Sequence, residues 1–598
     1  MSKLSAAKGP SPGSSAVNNG GATNSESNAT VWRHLPPGDR AAAKHIEREL
    51  GIHATVARLL VQRGLADPAA AERFLHPGLD QLHDPSRLND LDRAVDRLQQ
   101  AIERREPIAI HGDYDADGVS ATVMLRRVLE LLGADVTHFI PERLTDGYGL
   151  QPDTIDRLKA GGRCVIVTVD CGIRSDAAAE RARALGVDLI VTDHHEPGPT
   201  LPPALAVVNP RRADSVYPDR NLAGAGVAFK VAQALCQRTD RAAWLPALSK
   251  LAAIGTLADA VPLLGENRII ARIGLEQLSQ GPNSVGLQAL LETCGLAGEA
   301  IDSDAVAFRI APRINAAGRM QSPELATRLL LATGDAASTD ARQLAETLDN
   351  ENTRRRAEET AIAAEARRTV ENDPQLSAER LLVVWGEEWH RGVIGIVASK
   401  LVETFGRPAI VLSVDGAVAH GSGRSVPGFN LLGALESCAD LFTRFGGHRQ
   451  AAGMEIRSER LLTLRRRLAA YAAERIDPEA LGPQLTVDAP LPLDAINSAF
   501  IHGLTAMEPF GQGNPRPVFC AERVDVVEGP RPLKERHLQM TVRQGAARFR
   551  AVAWRAAERI DRYTDRGDGI NLAFSLSENR FRGSVYTELT VADAMPAR

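Results

Sequence analysis

Cysteine is scarce in this chain and long apolar runs are missing. The six cysteines, Cys164, Cys171, Cys236, Cys294, Cys438 and Cys520, are scattered through 598 residues without a CxxC pair, which argues against a zinc ribbon and a disulfide framework. Nothing reads as a signal peptide or as an apolar span of about 18 residues, so no membrane partner is expected and a reducing cytoplasm is the expected location. An excess of positive charge is also missing: the formal net charge is −5, so the chain as a whole does not advertise for nucleic acid and any basic groove must be local. What is present is ordinary globular material, 44% hydrophobic and 24% charged, in a chain too long for one core. Several domains are expected.

Residues 1–35 are mostly Ser, Gly, Asn and Ala and read as a disordered tail, because they cannot bury enough apolar surface to offset their ordering entropy. Residues 36–105 carry apolar positions three and four apart, as in "DLDRAVDRLQQAIERR", and predict a helical lead-in. Over 106–265, short β-rich runs alternate with amphipathic helices, the rhythm of a parallel, doubly wound sheet. Residues 266–378 read as a helical linker whose charged stretch from 338 is long enough for a spacer helix; its charges are expected to be a solvated face. A second α/β block is expected over 379–480, and short β runs with turn residues over 481–598 predict a small barrel or sandwich.

The chemistry concentrates at strand ends. "HGDYDADG" follows the apolar run "PIAI" and places His111, Asp113, Asp115 and Asp117 on one side if the extended chain continues. Two further apolar runs end alike, "CVIVTVD" at Asp170 and "DLIVTDHH" at Asp193, His194 and His195, and parallel strands deliver such ends to one crevice. "GTLADAVPL" adds Asp259. One DxD after a strand is a common loop, but three such ends together favour Mn²⁺ or Mg²⁺ over structural zinc, Cys171 being the one thiol nearby. Two ions about 3.5–4 Å apart would activate water and stabilise the leaving oxygen of a phosphodiester.

"HGDYDADG", "VTVDCG", "TDHH" and "GTLADAVPL", in that order, resemble the four motifs of the DHH phosphoesterase superfamily, and within it those of the bacterial single-strand-specific exonucleases. The resemblance implies an α/β fold: a DHH-type parallel-sheet domain joined by a long helical spacer to a DHH-associated α/β domain, plus a C-terminal OB-like β-barrel. It implies His111, Asp115 and Asp170 as ligands of one metal and Asp117, Asp170, His194 and Asp259 as ligands of the other, with Asp170 bridging. His195 is then placed at a ligand or at the scissile phosphate, and Asp113 beside the first metal or its water.

For the substrate, "RINAAGRM" offers Arg313 and Arg319 as phosphate forks, with surface ion pairs as the plainer reading. "AHGSGRSVPGFNL" and "FGGHRQAAGMEI" set Ser422, Arg424, Ser425, Gly447 and His448 on glycine-rich turns that resemble the family's substrate-binding motifs. "WHRGVIGIVASKL" adds Arg391 before a helix, where starting that helix is nearly as good a reading. "EPFGQGNPRPVF" resembles the lead into an OB-type barrel, in which Arg543, Arg548, Arg550 and Arg555 with Phe549 and Trp554 could track and stack a strand; one or both aromatics could instead be core.

The resemblance implies 5′→3′ hydrolysis of single-stranded DNA to nucleoside 5′-monophosphates in repair and recombination, beside a single-strand-binding protein and a RecQ-type helicase. Two rivals are a DHH phosphodiesterase of short oligonucleotides or cyclic dinucleotides, against which the extra length argues, and a non-catalytic nucleic-acid scaffold, against which the full ligand set argues.

Overall fold

The computed structural model describes residues 30–597 apart from 143–145, 148, 282–283, 478–480, 483, 565–567 and 582–583. Most of the tail expected over 1–35 therefore lies outside the described residues. Its end does not: Val31–His34 is a strand paired in parallel with Gln484–Val487, and Trp32 Nε1 donates to Asp593 at 2.9 Å.

The first lobe is built on five parallel strands, β1 (Ile108–Gly112), β2 (Val136–Phe139), β3 (Val165–Val169), β4 (Asp188–Thr192) and β5 (Ala206–Val208), in the order β2-β1-β3-β4-β5. β1 and β3 are buried at every position, which is why both read as unbroken apolar runs. The strand order reverses between β1 and β3, so the crevice beyond their carboxyl ends is where such a sheet takes a ligand. Four helices frame it: α1 (Ala116–Leu131), α2 (Gly224–Arg238), α3 (Leu245–Ala258) and α4 (Gly265–Ser279).

A 35-residue helix, α5 (Ser338–Asn372), joins the lobes. Ala341, Ala345 and Leu348 belong to the core of the first lobe, while Ile362, Ala366 and Val370 belong to a core of the second. The solvated face expected for this helix is only part of its surface, because Glu351, Asn352, Arg355 and Glu359 are buried between the two apolar stretches. The second lobe is a mixed sheet of β6 (Leu382–Glu387), β7 (Ala409–Asp415), β8 (Val418–Arg424), β9 (Phe442–Gly447) and β10 (Ala451–Arg457), in which only β6 and β7 are parallel.

In the C-terminal block β11 (Phe519–Leu533), β12 (His537–Gln544), β13 (Ala547–Ala553), β14 (Ile570–Phe581) and β15 (Ser584–Pro596) close into a five-strand barrel, because β14 pairs back onto β11. Residues 36–105 are helical as expected but do not form one unit. Ile46, Val56, Leu60 and Phe74 pack into the barrel core with Phe500 and Phe519, whereas Leu91, Val95 and Leu98 pack into the first lobe. Periodicity shows that each helix has an apolar face and is silent about which core receives it.

Candidate metal centre

β1 runs directly into α1, and the turn between them carries the acidic cluster. Asp115 caps α1, its Oδ1 accepting from the amides of Asp117 at 3.0 Å and Gly118 at 3.1 Å. Asp117, in the first turn, receives the amides of Gly224 at 2.7 Å and Ala225 at 2.8 Å from the start of α2. Asp170 follows β3 with φ 62°, a left-handed backbone rare outside glycine and typical of strained working sites. A Cβ at Gly224 would stand 2.3 Å from Asp170 Oδ1, so the close approach of α2 to this carboxylate requires glycine.

Beyond β4, buried Asp193 accepts from the amides of Ile173, His194 and His195 and from His195 Nδ1 at 2.8 Å. α3 delivers Asp259 at its C-terminus. His194 Nε2 lies 3.1 Å from Asp170 Oδ1 and 3.7 Å from Asp259 Oδ2. Three overlapping sets each bring their donor atoms within 4.8 Å of one another: Asp113, Asp115 and Asp170; Asp117, His194 and Asp259; and Asp170, His194 and His195. The first set contains Asp113 where the family pattern implied His111. His111 is fully buried at the end of β1 with Cys171 Sγ 3.5 Å from its Nδ1, while its Nε2 has no hydrogen-bond partner.

The electrostatics follow from burial and crowding. Burial, then the neighbouring Asp115, pushes Asp113 up to about 8. Burial, then Asp117, Asp115 and Asp113, puts Asp170 well above the carboxylate range, and burial with Asp259 does the same to Asp117. Burial holds His111 down at about 4 and lowers His194, keeping both imidazoles neutral at pH 7. Burial opposes a charge on His195 most strongly of any single cause, yet its bond to Asp193 together with the charges of Asp193, Asp113 and Asp259 outweighs it and raises His195 to about 9. The Cys171 thiol is pushed well up by burial and stays protonated, so it is no thiolate ligand. Crowded carboxylates, neutral imidazoles and the unpartnered His111 Nε2 together make an oxygen-and-nitrogen donor set that fits Mn²⁺ or Mg²⁺.

Facing this cluster across a cleft of about 900 Å³ is the second lobe: Tyr114, Arg174 and His195 line one side, His420, Phe445 and His448 the other. Gly447, at φ 150°, lets the β9–β10 turn close, since a Cβ there would stand 2.4 Å from the Ala451 carbonyl oxygen. Arg391 stands 3.0 Å from His420 Nδ1. Arg424 donates to Ser422 Oγ at 3.1 Å and to the Gly423 carbonyl, while the Ser425 hydroxyl donates to the Val426 and Phe429 carbonyls and shapes its own turn. Arg319 donates to the Gly392 carbonyl at 3.0 Å, tying the lobes together.

Three regions of this chain match family models: the DHH family N-terminal domain over residues 107–256, the DHHA1 domain over 378–474 and the RecJ OB domain over 487–593. The single-stranded-DNA-specific exonuclease RecJ of Bacillus subtilis is 38% identical over 569 residues, covering 94% of this chain and 70% of that protein. The chain belongs to the RecJ family. Crystal structures of Thermus thermophilus RecJ in complex with Mn²⁺ and with Mg²⁺ superpose with TM-scores of 0.80 and 0.74 at 32% and 31% identity. Each covers 95% of this chain, which spans 80% and 79% of theirs.

Within this RecJ architecture several arginines offered as phosphate contacts are engaged in ion pairs. Arg313 is in an ion pair: its Nε and Nη2 engage Asp349 of α5 at 2.8 and 2.7 Å and its Nη1 donates to the Arg309 carbonyl, so it braces α5. The barrel arginines are paired as well: Arg543 with Asp525 directly opposite on antiparallel β11, Arg548 with Glu528, which it reaches on β11 across β12, and Arg550 with Glu588 on its parallel neighbour β15. Phe549 packs against the barrel core, while Trp554 is 54% exposed, edge-on to His537.

Sequence reasoning missed the service of Asp193 to both histidines and of Asn315, whose Oδ1 accepts the Ala116 amide at 2.8 Å at the head of α1. It also passed over "GENR", Gly265 to Arg268, where the signal was three polar residues inside an apolar stretch. Among the described residues no helix is long and apolar enough to cross a membrane.

Proposed function

We propose that this RecJ-family chain is a metal-dependent exonuclease that hydrolyses single-stranded DNA from the 5′ end to nucleoside 5′-monophosphates. The observation that carries the proposal is the convergence of seven carboxylates and imidazoles from three strand ends and one helix end, with donor atoms in sets no wider than 4.8 Å. In this assignment His111, Asp115 and Asp170 hold one Mn²⁺ or Mg²⁺, and Asp117, Asp170, His194 and Asp259 hold the other. When bound, the two ions supply Lewis acidity and a water of lowered pKa.

The chain's own groups do the rest. Asp115 and Asp117 are locked by backbone amides and keep their geometry without reorganising. Asp113 steadies the first subsite. His195, kept protonated by Asp193, donates to the scissile phosphate. Gly447 and His448 face it across the cleft, and with Ser422, Arg424, Ser425, Arg319 and Arg391 they position the phosphate backbone. Residues 106–265 hold the metals, 379–480 grip the strand and 481–598 extend its path. Work in DNA repair and recombination, in the cytoplasm and beside a single-strand-binding protein and a RecQ-type helicase, belongs to the same proposal and is supported by the RecJ relationship.

The test is digestion of strands labelled at the 5′ or the 3′ end, with Mn²⁺, Mg²⁺ or EDTA, beside a blunt duplex. Metal-dependent release of a labelled mononucleotide from the 5′ end alone, the duplex spared, is expected. Binding without cleavage overturns the proposal in favour of a scaffold, and activity confined to very short oligomers favours the small-substrate phosphodiesterase.

A further inference from the structure

The loop after Asp259 leads into α4, whose first turn buries three polar side chains in succession: Glu266 is 1% exposed, Asn267 0% and Arg268 2%. Each reaches a different part of the molecule. Glu266 accepts from Lys230 of α2 and from the His83 amide, both at 2.9 Å, and from the Tyr217 hydroxyl. Asn267 donates to the carbonyls of Pro262 at 3.1 Å and Asn221 at 2.5 Å, and accepts the Ala223 amide at 3.2 Å. Pro262 lies three residues beyond Asp259, and Ala223 immediately precedes the two amides that hold Asp117. One side chain thus grips the backbone behind two groups of the same cation subsite.

Arg268 reaches the other way. Its guanidinium stacks 3.7 Å over Phe74 and donates to five carbonyls, those of Phe74 at 2.7 Å, Ala506 at 3.0 Å, Met507 at 2.9 Å, Glu508 at 2.8 Å and Pro509 at 3.4 Å. Burying a guanidinium among carbonyls is costly unless its donors are satisfied, and here the acceptors come from the lead-in helices and from the segment that enters the barrel. That segment also touches the Asp259 loop directly: the Leu263 amide donates to the Gln512 carbonyl at 2.8 Å. "EPFGQGN" is therefore more than a lead into the barrel: it is a bracket on the loop that carries Asp259.

We propose that Asn267 is a positioning residue for the cation subsite of Asp117, His194 and Asp259, and that Arg268 makes the geometry of that subsite depend on how the C-terminal barrel is docked. The inference rests on the two-cation reading above.

The test uses the full chain and Mn²⁺ alone, with free Mn²⁺ counted by electron paramagnetic resonance, then kcat and KM on single-stranded DNA and a melting curve. Two Mn²⁺ are expected for the wild type. Asn267→Ala is expected to weaken one by tenfold or more, leave the other within twofold, and lower kcat at unchanged KM, with kcat recovered at high Mn²⁺. Arg268→Lys, which keeps the charge and loses the planar fork, should shift the same Mn²⁺ less.

Gly511→Ala acts from the barrel side, where its Cβ would meet Leu263 Cδ1 at 2.7 Å, and should move the same Mn²⁺. Both affinities within twofold of wild type in variants that melt normally, or a KM rise at unchanged kcat, would overturn the proposal; if Asn267→Ala fails to fold, the other two variants decide. A wild type that binds fewer than two Mn²⁺ defeats the underlying two-cation reading instead.

Discussion

Removing one carboxylate from the acidic cluster should stabilise the metal-free protein, and increasingly so as pH rises. Asp113 is 5% exposed and raised to about 8 by burial and Asp115, against about 3.9 for a carboxyl in an unfolded chain. Below pH 4 both states hold the proton and its replacement changes little. Between pH 4 and 8 the unfolded chain releases the proton while the folded chain keeps it, so folding loses stability with each pH unit until the folded group also ionises. At 1.36 kcal/mol per unit the separation sets a ceiling of about 6 kcal/mol, and relaxation of the turn on ionisation reduces this to about 2 kcal/mol.

Asp113→Asn cannot titrate. Its melting temperature should therefore equal that of the wild type at pH 4.5 and exceed it by roughly 4–8 °C at pH 8, at about 2–4 °C per kcal/mol for a lobe of this size. Calorimetry in EDTA at several pH values reads this directly. Saturating Mn²⁺ should reverse the order, because the wild type gains binding free energy that the variant loses. A difference between the two proteins that stays flat from pH 4.5 to 8 would refute the account of carboxylate crowding.

Four further outcomes are expected. Gly224→Ala should fold but lose activity, since its Cβ would stand 2.3 Å from Asp170 Oδ1; normal turnover would show that α2 can yield. Asp193→Asn should lower kcat by about 10- to 100-fold by releasing His195, read as single-turnover rates with DNA affinity kept. Arg313→Ala should cost stability and leave the Kd for single-stranded DNA within twofold, because its partner is Asp349. Trp554→Ala should weaken binding of long strands by about 1–3 kcal/mol in fluorescence anisotropy, whereas Arg548→Ala, already paired with Glu528, should change it little.

Much of the metal centre was legible because its signals are local. An apolar run that ends in Asp or His describes both a buried strand and what that strand presents at its end, and Asp170 and His194 could be read this way without any partner in view. Arg313 and Arg319 show the limit. They stand in one short motif with the same chemistry, and only the packing of α5 brings Asp349 to one while the other reaches the Gly392 carbonyl. The barrel arginines show the same limit, since only the paired strands set Asp525 opposite Arg543 and bring Glu528 within reach of Arg548.

By itself the sequence determined the order of the units, the parallel character of the first sheet and the acid-and-imidazole composition at its strand ends, since each depends on residue type and near-neighbour spacing. Only the tertiary structure decided that the lead-in helices divide between two cores, that Asp113 joins Asp115 and Asp170, and that Arg268 binds the barrel to the turn behind Asp117 and Asp259. Those outcomes depend on which surfaces meet across hundreds of residues. A side chain's partner there is chosen by packing, and no local pattern records it.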